Sequence, residues 1–140
     1  MDIEFLASVA VIAPDPPTSR ELYVKTIGLP LEGEGEHGYH HTEALAGSRH
    51  FGVWPLAQAA EACFGGSEWP ADRPVPQVSI EFDVSDAEAV HAAAQELHAA
   101  GYEPLHPVRV EPWGQTIARV ISPEGAIVGI SFAPALHDAG

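Results

Sequence analysis

Apolar residues fall in short blocks between turn-forming residues, and the blocks recur in the same order twice along the chain. Phe5 to Ala13 (FLASVAVIA) is a short, mostly apolar run closed by Pro14-Asp15, the pattern of a buried strand. Pro16-Pro17-Thr18-Ser19 opens a helix, because proline is tolerated in a first turn and Asp15 stands where a cap belongs. Leu22, Tyr23 and Ile27 lie near helical spacing, and Gly28 with Pro30 predicts the stop. Glu32-Gly33-Glu34-Gly35-Glu36 reads as an irregular or edge strand, since glycine and like charges weaken sheet pairing. Tyr39 to Leu45, the turn Ala46-Gly47-Ser48 and Arg49 to Leu56 predict a hairpin, followed by a short helix over 57–64 and a Pro/Gly-rich linker over 65–76.

The order then restarts. Val78, Ile80, Phe82 and Val84 alternate with Ser79, Glu81 and Asp83, the period of a half-buried strand. Ser85-Asp86 offers a helix cap, Ala87 to Ala100 is helical with Val90, Ala94 and Leu97 along one stripe, and Gly101 ends it. Three strands are expected at about 103–110, 115–122 and 126–133, the last two joined by Ser122-Pro123-Glu124-Gly125. The interval Ser8 to Asp15 equals the interval Ser79 to Asp86, so the two halves are offset by 71 residues. Ordered agreement of strand, capped helix and closing hairpin marks an internal repeat. The expected architecture is a single α+β domain over 1–140, with half one at about 4–64 and half two at about 77–133.

Composition narrows the function classes. At 46% hydrophobic residues the chain can fill a core without staples, and the single cysteine, Cys63, excludes an internal disulfide or a Cys-cluster metal site. Nothing resembles a signal peptide or a span of about 18 apolar residues, and a cytoplasmic location is expected. Asp and Glu number 20 against 6 Lys and Arg, giving a net charge of −14. A phosphate backbone needs clustered basic residues, so neither nucleic acid nor an anionic membrane is an expected partner. The acidity favours a cationic ligand or serves solubility alone.

Two βαβββ units, with Pro112-Trp113-Gly114-Gln115-Thr116 and Ser122-Pro123-Glu124-Gly125 closing the second, resemble the vicinal oxygen chelate superfamily, the glyoxalase, bleomycin-resistance and dioxygenase fold. The resemblance covers about residues 5–133 and implies two modules forming a curled mixed sheet around a cleft, commonly in a homodimer. The linker at 65–76 could let the halves pair across such a dimer. The resemblance also implies metal ligands at corresponding points of the halves: a His at the start of each first strand and a Glu on the last strand. In this sequence those positions hold Ser8, Ser79 and Gly129, and the matching point of the first hairpin is Val53, or Gly52 if it slips by one. None of these supplies the imidazole, carboxylate or thiolate that a divalent metal needs. No metal and no cofactor is therefore expected at the family's centre, and the chain leans away from the family's metal enzymes.

What remains is polar and aromatic. Trp54 and Trp113, with Tyr39, Phe51 and Trp69, supply flat apolar surface suited to a planar ligand; equally, the first two can be core or interface residues, and Trp69 can seal an interface or act as a lid. The expected ligand-binding residues are Ser8, His41, Trp54, Ser79, Glu81, Trp113, Gln115 and Arg119. Glu81 and Asp83 share a face with Ser79 and would favour a cation if that face meets the ligand. His37, His40, His41, Glu43 and His50 form a second cluster, in which His41 and Glu43 share a strand face and are the acid–base candidates, while His40 points away. Two or three of these donors could approach a metal through the hairpin; otherwise they are cleft-lining or surface histidines. His91 and His98 read as one solvated helix face, and Cys63 as a structural thiol. The preferred reading is a metal-free small-molecule-binding protein that sequesters a cationic or heteroaromatic compound such as an antibiotic. The bleomycin-resistance proteins of the resembled fold bind a basic glycopeptide in this way. The alternatives are a lyase- or dioxygenase-like enzyme with a relocated metal or acid–base site, and a partner-binding domain with a collapsed cleft.

Overall fold

A computed structural model describes residues 1–137. Hydrogen bonding orders seven strands as β2-β3-β1-β4-β7-β6-β5, a mixed sheet in an α+β chain. The chain divides into two compact units, Ser8–Ser79 and Met1–Ala7 with Ile80–Gly140.

In the first of these, β1 (Phe5–Ala13) supplies its residues from Ser8 onward, where Ser8, Ala10 and Ile12 are buried and Val9 and Val11 less so. It pairs in parallel with β3 (Phe51–Pro55), Val11 opposite Val53. β3 in turn pairs antiparallel with β2 (His40–Thr42), His41 opposite Gly52. Glu32 adds a single bridge to His41, so the glycine-rich segment is an edge contact without an extended strand. The expected helix after β1 is split into α1 (Pro16–Arg20) and a π-helical turn, Glu21–Thr26. The Thr26 hydroxyl donates to the Glu21 carbonyl at 3.2 Å, a local side-chain bond that competes with regular helix pairing. Asp15 does not cap α1 with its side chain; its carboxylate accepts the Thr18 hydroxyl instead, at 2.6 Å. α2 (Leu56–Phe64) buries Ala59, Ala60 and Cys63, which fits the structural reading of the thiol. The segment after it is pinned locally. Trp69 packs edge-on against Phe64 and donates its indole N–H to the Pro74 carbonyl.

In the second unit β4 (Val78–Asp83), which supplies its residues from Ile80 onward, leads into α3 (Ala87–Ala99), whose first turn is capped by Asp86 accepting the Ala89 N–H at 2.8 Å. β5 (Arg109–Val110), β6 (Thr116–Ile121) and β7 (Ile127–Phe132) follow, with β6 and β7 paired antiparallel from Thr116–Phe132 to Ile121–Ile127. The strand expected at 103–110 is only two residues long. Pro104 and Pro107 lack the N–H that a ladder needs. Val84, Val90, Ala93, Ala118 and Ile130 form the core, with Phe82, Leu97 and Phe132 packed on it. α4 (Pro134–His137), which nothing in the pattern announced, is held by Asp83: that fully buried carboxylate accepts the Ser131 hydroxyl, the Ala133 N–H and a His137 ring nitrogen. Asp83 is thereby committed within the fold and is not a ligand-facing group. Both units run from first strand to last strand to the one before it, with the single Glu32 bridge in the first unit standing where β5 stands in the second. Among the described residues no helix is long and apolar enough to cross a membrane.

Candidate functional site

The four positions at which the resemblance places metal ligands fail as a donor set, and each is closed by its own surroundings. Ser8 and Ser79 are buried hydroxyls, and Val53 is a fully buried apolar side chain. A Cβ on Gly129 would lie 3.1 Å from both Cγ of Glu81 and Cδ1 of Ile117. A Cβ on Gly52 would strike the Tyr39 ring, 2.6 Å from Cζ. Neighbouring side chains thus occupy the space that ligand side chains at 52 and 129 would need, and the residues present do not fit the family's metal.

Within the unit that holds β4 to β7, three of the expected ligand residues form one hydrogen-bonded chain. The turn before β6 directs Trp113, whose indole N–H donates to Gln115 Oε1 at 2.9 Å; Gln115 Nε2 donates to Glu81 Oε1 at 2.8 Å. The Trp113 ring is 67% exposed while Gln115 is buried. Burial raises the Glu81 carboxyl pKa; the Arg119 charge and the Gln115 bond oppose this without cancelling it. Arg119 is 1% exposed and its guanidinium donates to Glu111 Oε1 at 3.0 Å and to His106 Nε2 at 3.1 Å. His106 keeps its proton on Nδ1, which donates to the Pro107 carbonyl. Burial, reinforced by Arg119, lowers the His106 pKa. Burial pulls the Glu111 carboxyl upward, but the bonds from Arg119 and Arg109 outweigh it and hold the pKa low.

In the other unit, β2 and β3 bring a second constellation together. His41 Nδ1 lies 2.8 Å and His50 Nδ1 2.9 Å from the same oxygen, Glu43 Oε2. The two imidazoles stack 4.8 Å apart at 23°, and Tyr39 stacks on His41 at 5.0 Å. The Tyr39 hydroxyl lies 2.6 Å from His50 Nε2. Thr42 ends β2 by accepting the Ala44 N–H on its hydroxyl, which turns Glu43 back toward the strand pair. His50 has a lowered pKa, chiefly from burial, with Glu43 opposing and His41 adding to the shift. One face of the cluster borders a hollow of about 680 Å³ whose walls include Pro30, Glu32, Gly33 and Ala44 beside His41 and Glu43. As expected from the alternation, His40 turns away, bonding the Gly35 carbonyl; His37 lies 3.9 Å from the exposed Glu36 carboxylate. Trp54 is near this cluster, its ring 6.5 Å from Tyr39.

The expected site residues therefore separate into Trp113, Gln115, Glu81 and Arg119 in one unit and His41 and Trp54, with Glu43, in the other, while Ser8 and Ser79 are buried. Sequence reasoning gave no role to Glu111 and His106, the hydrogen-bond partners of Arg119, and no residue spacing announces them.

A family model described as the Glyoxalase/Bleomycin resistance protein/Dioxygenase superfamily matches residues 5–130. Among solved structures, a member of that superfamily from Vibrio splendidus 12B01 superposes with a TM-score of 0.60 at 16% identity, covering 91% of this chain and 99% of that one. Streptomyces coelicolor methylmalonyl-CoA epimerase (Q60A), in complex with 2-nitronate-propionyl-CoA, gives 0.54 at 16%, covering 95% and 99%. A structure described as NAD-dependent benzaldehyde dehydrogenase from Legionella pneumophila gives 0.61 at 13%, covering 90% and 97%. Identities this low establish a shared fold only. No curated protein matches the chain.

Proposed function

The chain belongs to the glyoxalase/bleomycin resistance protein/dioxygenase superfamily, and from that premise we propose that it binds a small heteroaromatic or cationic molecule without the family's metal centre. The observation that carries this reading is the Trp113–Gln115–Glu81 chain: an exposed aromatic face whose indole N–H is tied through a buried amide to a carboxylate. Stacking on an indole suits a flat ring, and a carboxylate beside it favours positive charge. Aromatic walls with a few oriented polar groups are the usual makeup of a small-molecule site. Sequestration of a basic antibiotic is the instance that best suits the net charge of −14. A homodimer fits the same reading, since Val110 and Trp113 are both 67% exposed.

The test is a tryptophan-fluorescence titration of the full chain against cationic glycopeptides and heteroaromatic amines. The expected result is a saturable change for one class, lost in Trp113→Ala and weakened about tenfold in Glu81→Gln for cationic compounds, the scale of one desolvated charge contact. Failure of a broad panel to give a saturable change, or a response untouched by Trp113→Ala, would sink the reading. A second reading, acid–base catalysis, draws on the 2.8 Å contact between His41 and Glu43 at the hollow. Turnover abolished by Glu43→Gln with ligand binding kept would favour it.

A further inference from the structure

We infer that His41, Glu43 and His50 form a binding site for a divalent first-row transition cation, distinct from the positions where the family's ligands would stand. One donor atom from each of the three lies within 4.8 Å of the others, and both imidazoles present Nδ1 to a single carboxylate oxygen. Two donors each about 2.1 Å from an ion stand about 3.0 Å apart when the angle between them is a right angle. The observed N···O separations of 2.8 and 2.9 Å are close to that spacing. Two imidazoles and one carboxylate on one side of an ion are a recognised set for Fe²⁺, Co²⁺, Ni²⁺ and Zn²⁺ that leaves coordination positions open. Here the open side is the hollow bordered by His41 and Glu43, whose side chains are 37% and 50% exposed.

The surroundings supply what a ligating histidine needs behind it. With Nδ1 on the metal, His50 Nε2–H can donate to the Tyr39 hydroxyl at 2.6 Å, which fixes tautomer and ring orientation. Tyr39 takes that position because residue 52 is glycine: any Cβ there would meet the Tyr39 ring. The absence of a side chain at 52 is therefore what lets the hydroxyl reach His50. This inference is independent of the ligand reading above, which uses Trp113 and Glu81 in the other unit.

The experiment is titration of chelator-treated full-length protein with Zn²⁺ by calorimetry and with Co²⁺ by absorption and proton NMR. The expected result is one equivalent bound, visible Co²⁺ ligand-field bands and two paramagnetically shifted imidazole N–H protons. His41→Ala, His50→Ala and Glu43→Gln should each weaken binding about 100-fold or more, and Tyr39→Phe about tenfold, as loss of an outer partner does. A His91→Ala/His98→Ala control on the exposed face of α3 should change it less than about twofold, which separates the site from adventitious binding to an acidic surface. A wild-type isotherm indistinguishable from that of His50→Ala, whether from weak binding in both or tight binding in both, overturns the inference. If an alanine variant fails to fold by circular dichroism, the wild-type Co²⁺ spectrum decides: no shifted imidazole N–H protons overturns it.

Discussion

Replacing Arg119 with methionine probes a fully buried charge. The guanidinium is 1% exposed and donates to Glu111, itself buried, at 3.0 Å and to His106 at 3.1 Å. Methionine keeps the volume and stem of arginine, so cavity cost is small and the loss is electrostatic. Breaking a buried pair from one side costs about 3–5 kcal/mol, mostly through the charge left behind. Glu111 keeps one partner, Arg109 Nε at 3.0 Å, but that side chain is 38% exposed, which places the loss near the lower end, about 3 kcal/mol. With a urea m-value of about 2 kcal/mol/M for a chain of this size, the midpoint should fall by about 1.5 M. The double variant Arg119→Met/Glu111→Leu removes both charges and should recover most of that loss, because an apolar pair of similar volume is often neutral or better. A loss below about 1 kcal/mol in the single variant, or losses that simply add in the double one, would refute the reasoning.

Other outcomes follow from the same network and from the closed ligand positions. His106 has a folded pKa below 6.5, so in the window beneath 6.5 the unfolded chain binds more protons and stability falls with falling pH. His106→Gln should flatten that slope in urea unfolding between about pH 7 and 5; an unchanged slope would remove His106 from the account. Glu81 has a raised folded pKa, so it costs stability as pH rises above 4.5, and Glu81→Gln should raise stability at pH 7 relative to pH 4. Gly129→Ala places its Cβ 3.1 Å from Glu81 and Ile117 and should cost about 1–3 kcal/mol by overpacking. Adding Glu81→Ala should restore part of it, and additive losses in denaturant titrations would show that the crowding does not involve Glu81.

The fold was legible wherever a two-residue or helical period ran uninterrupted. Val78 to Val84 alternates, and β4 spans Val78–Asp83; Asp86 precedes an alanine-rich run, and it caps α3 as read. Strand lengths failed where backbone donors decide them, as at Pro104 and Pro107 before the two-residue β5. Two of the three members of the His41–Glu43–His50 cluster were readable as a pair, because residues two apart on a strand share a face. Bringing His50 in depends on the register that sets His41 opposite Gly52, and a one-residue slip would send it elsewhere. The Arg119 network was not readable at all: Glu111 approaches through the turn that bonds its N–H to the Gln115 carbonyl, and turns carry no period.

Gly52 and Gly129 give the two halves a common physical logic. Each lies on the last strand of its unit and lacks a side chain; Gly129 stands at an expected ligand position, and Gly52 at the one-residue alternative to Val53. In both cases a neighbouring group fills the space: the Tyr39 ring against Gly52, and the Glu81 methylenes against Gly129. Both intruders end in a polar atom that must find a partner once it is withdrawn from water. Tyr39 finds His50, and Glu81 finds Gln115. The absence of a side chain at these positions therefore does more than leave a donor set incomplete. It draws a hydroxyl and a carboxylate inward from adjacent chain, and those two groups now orient the imidazole cluster in one unit and the Trp113 array in the other. Placing a side chain at 52 should accordingly disturb His50 through Tyr39, a result visible as a shifted His50 ring resonance in Gly52→Ala with the fold intact.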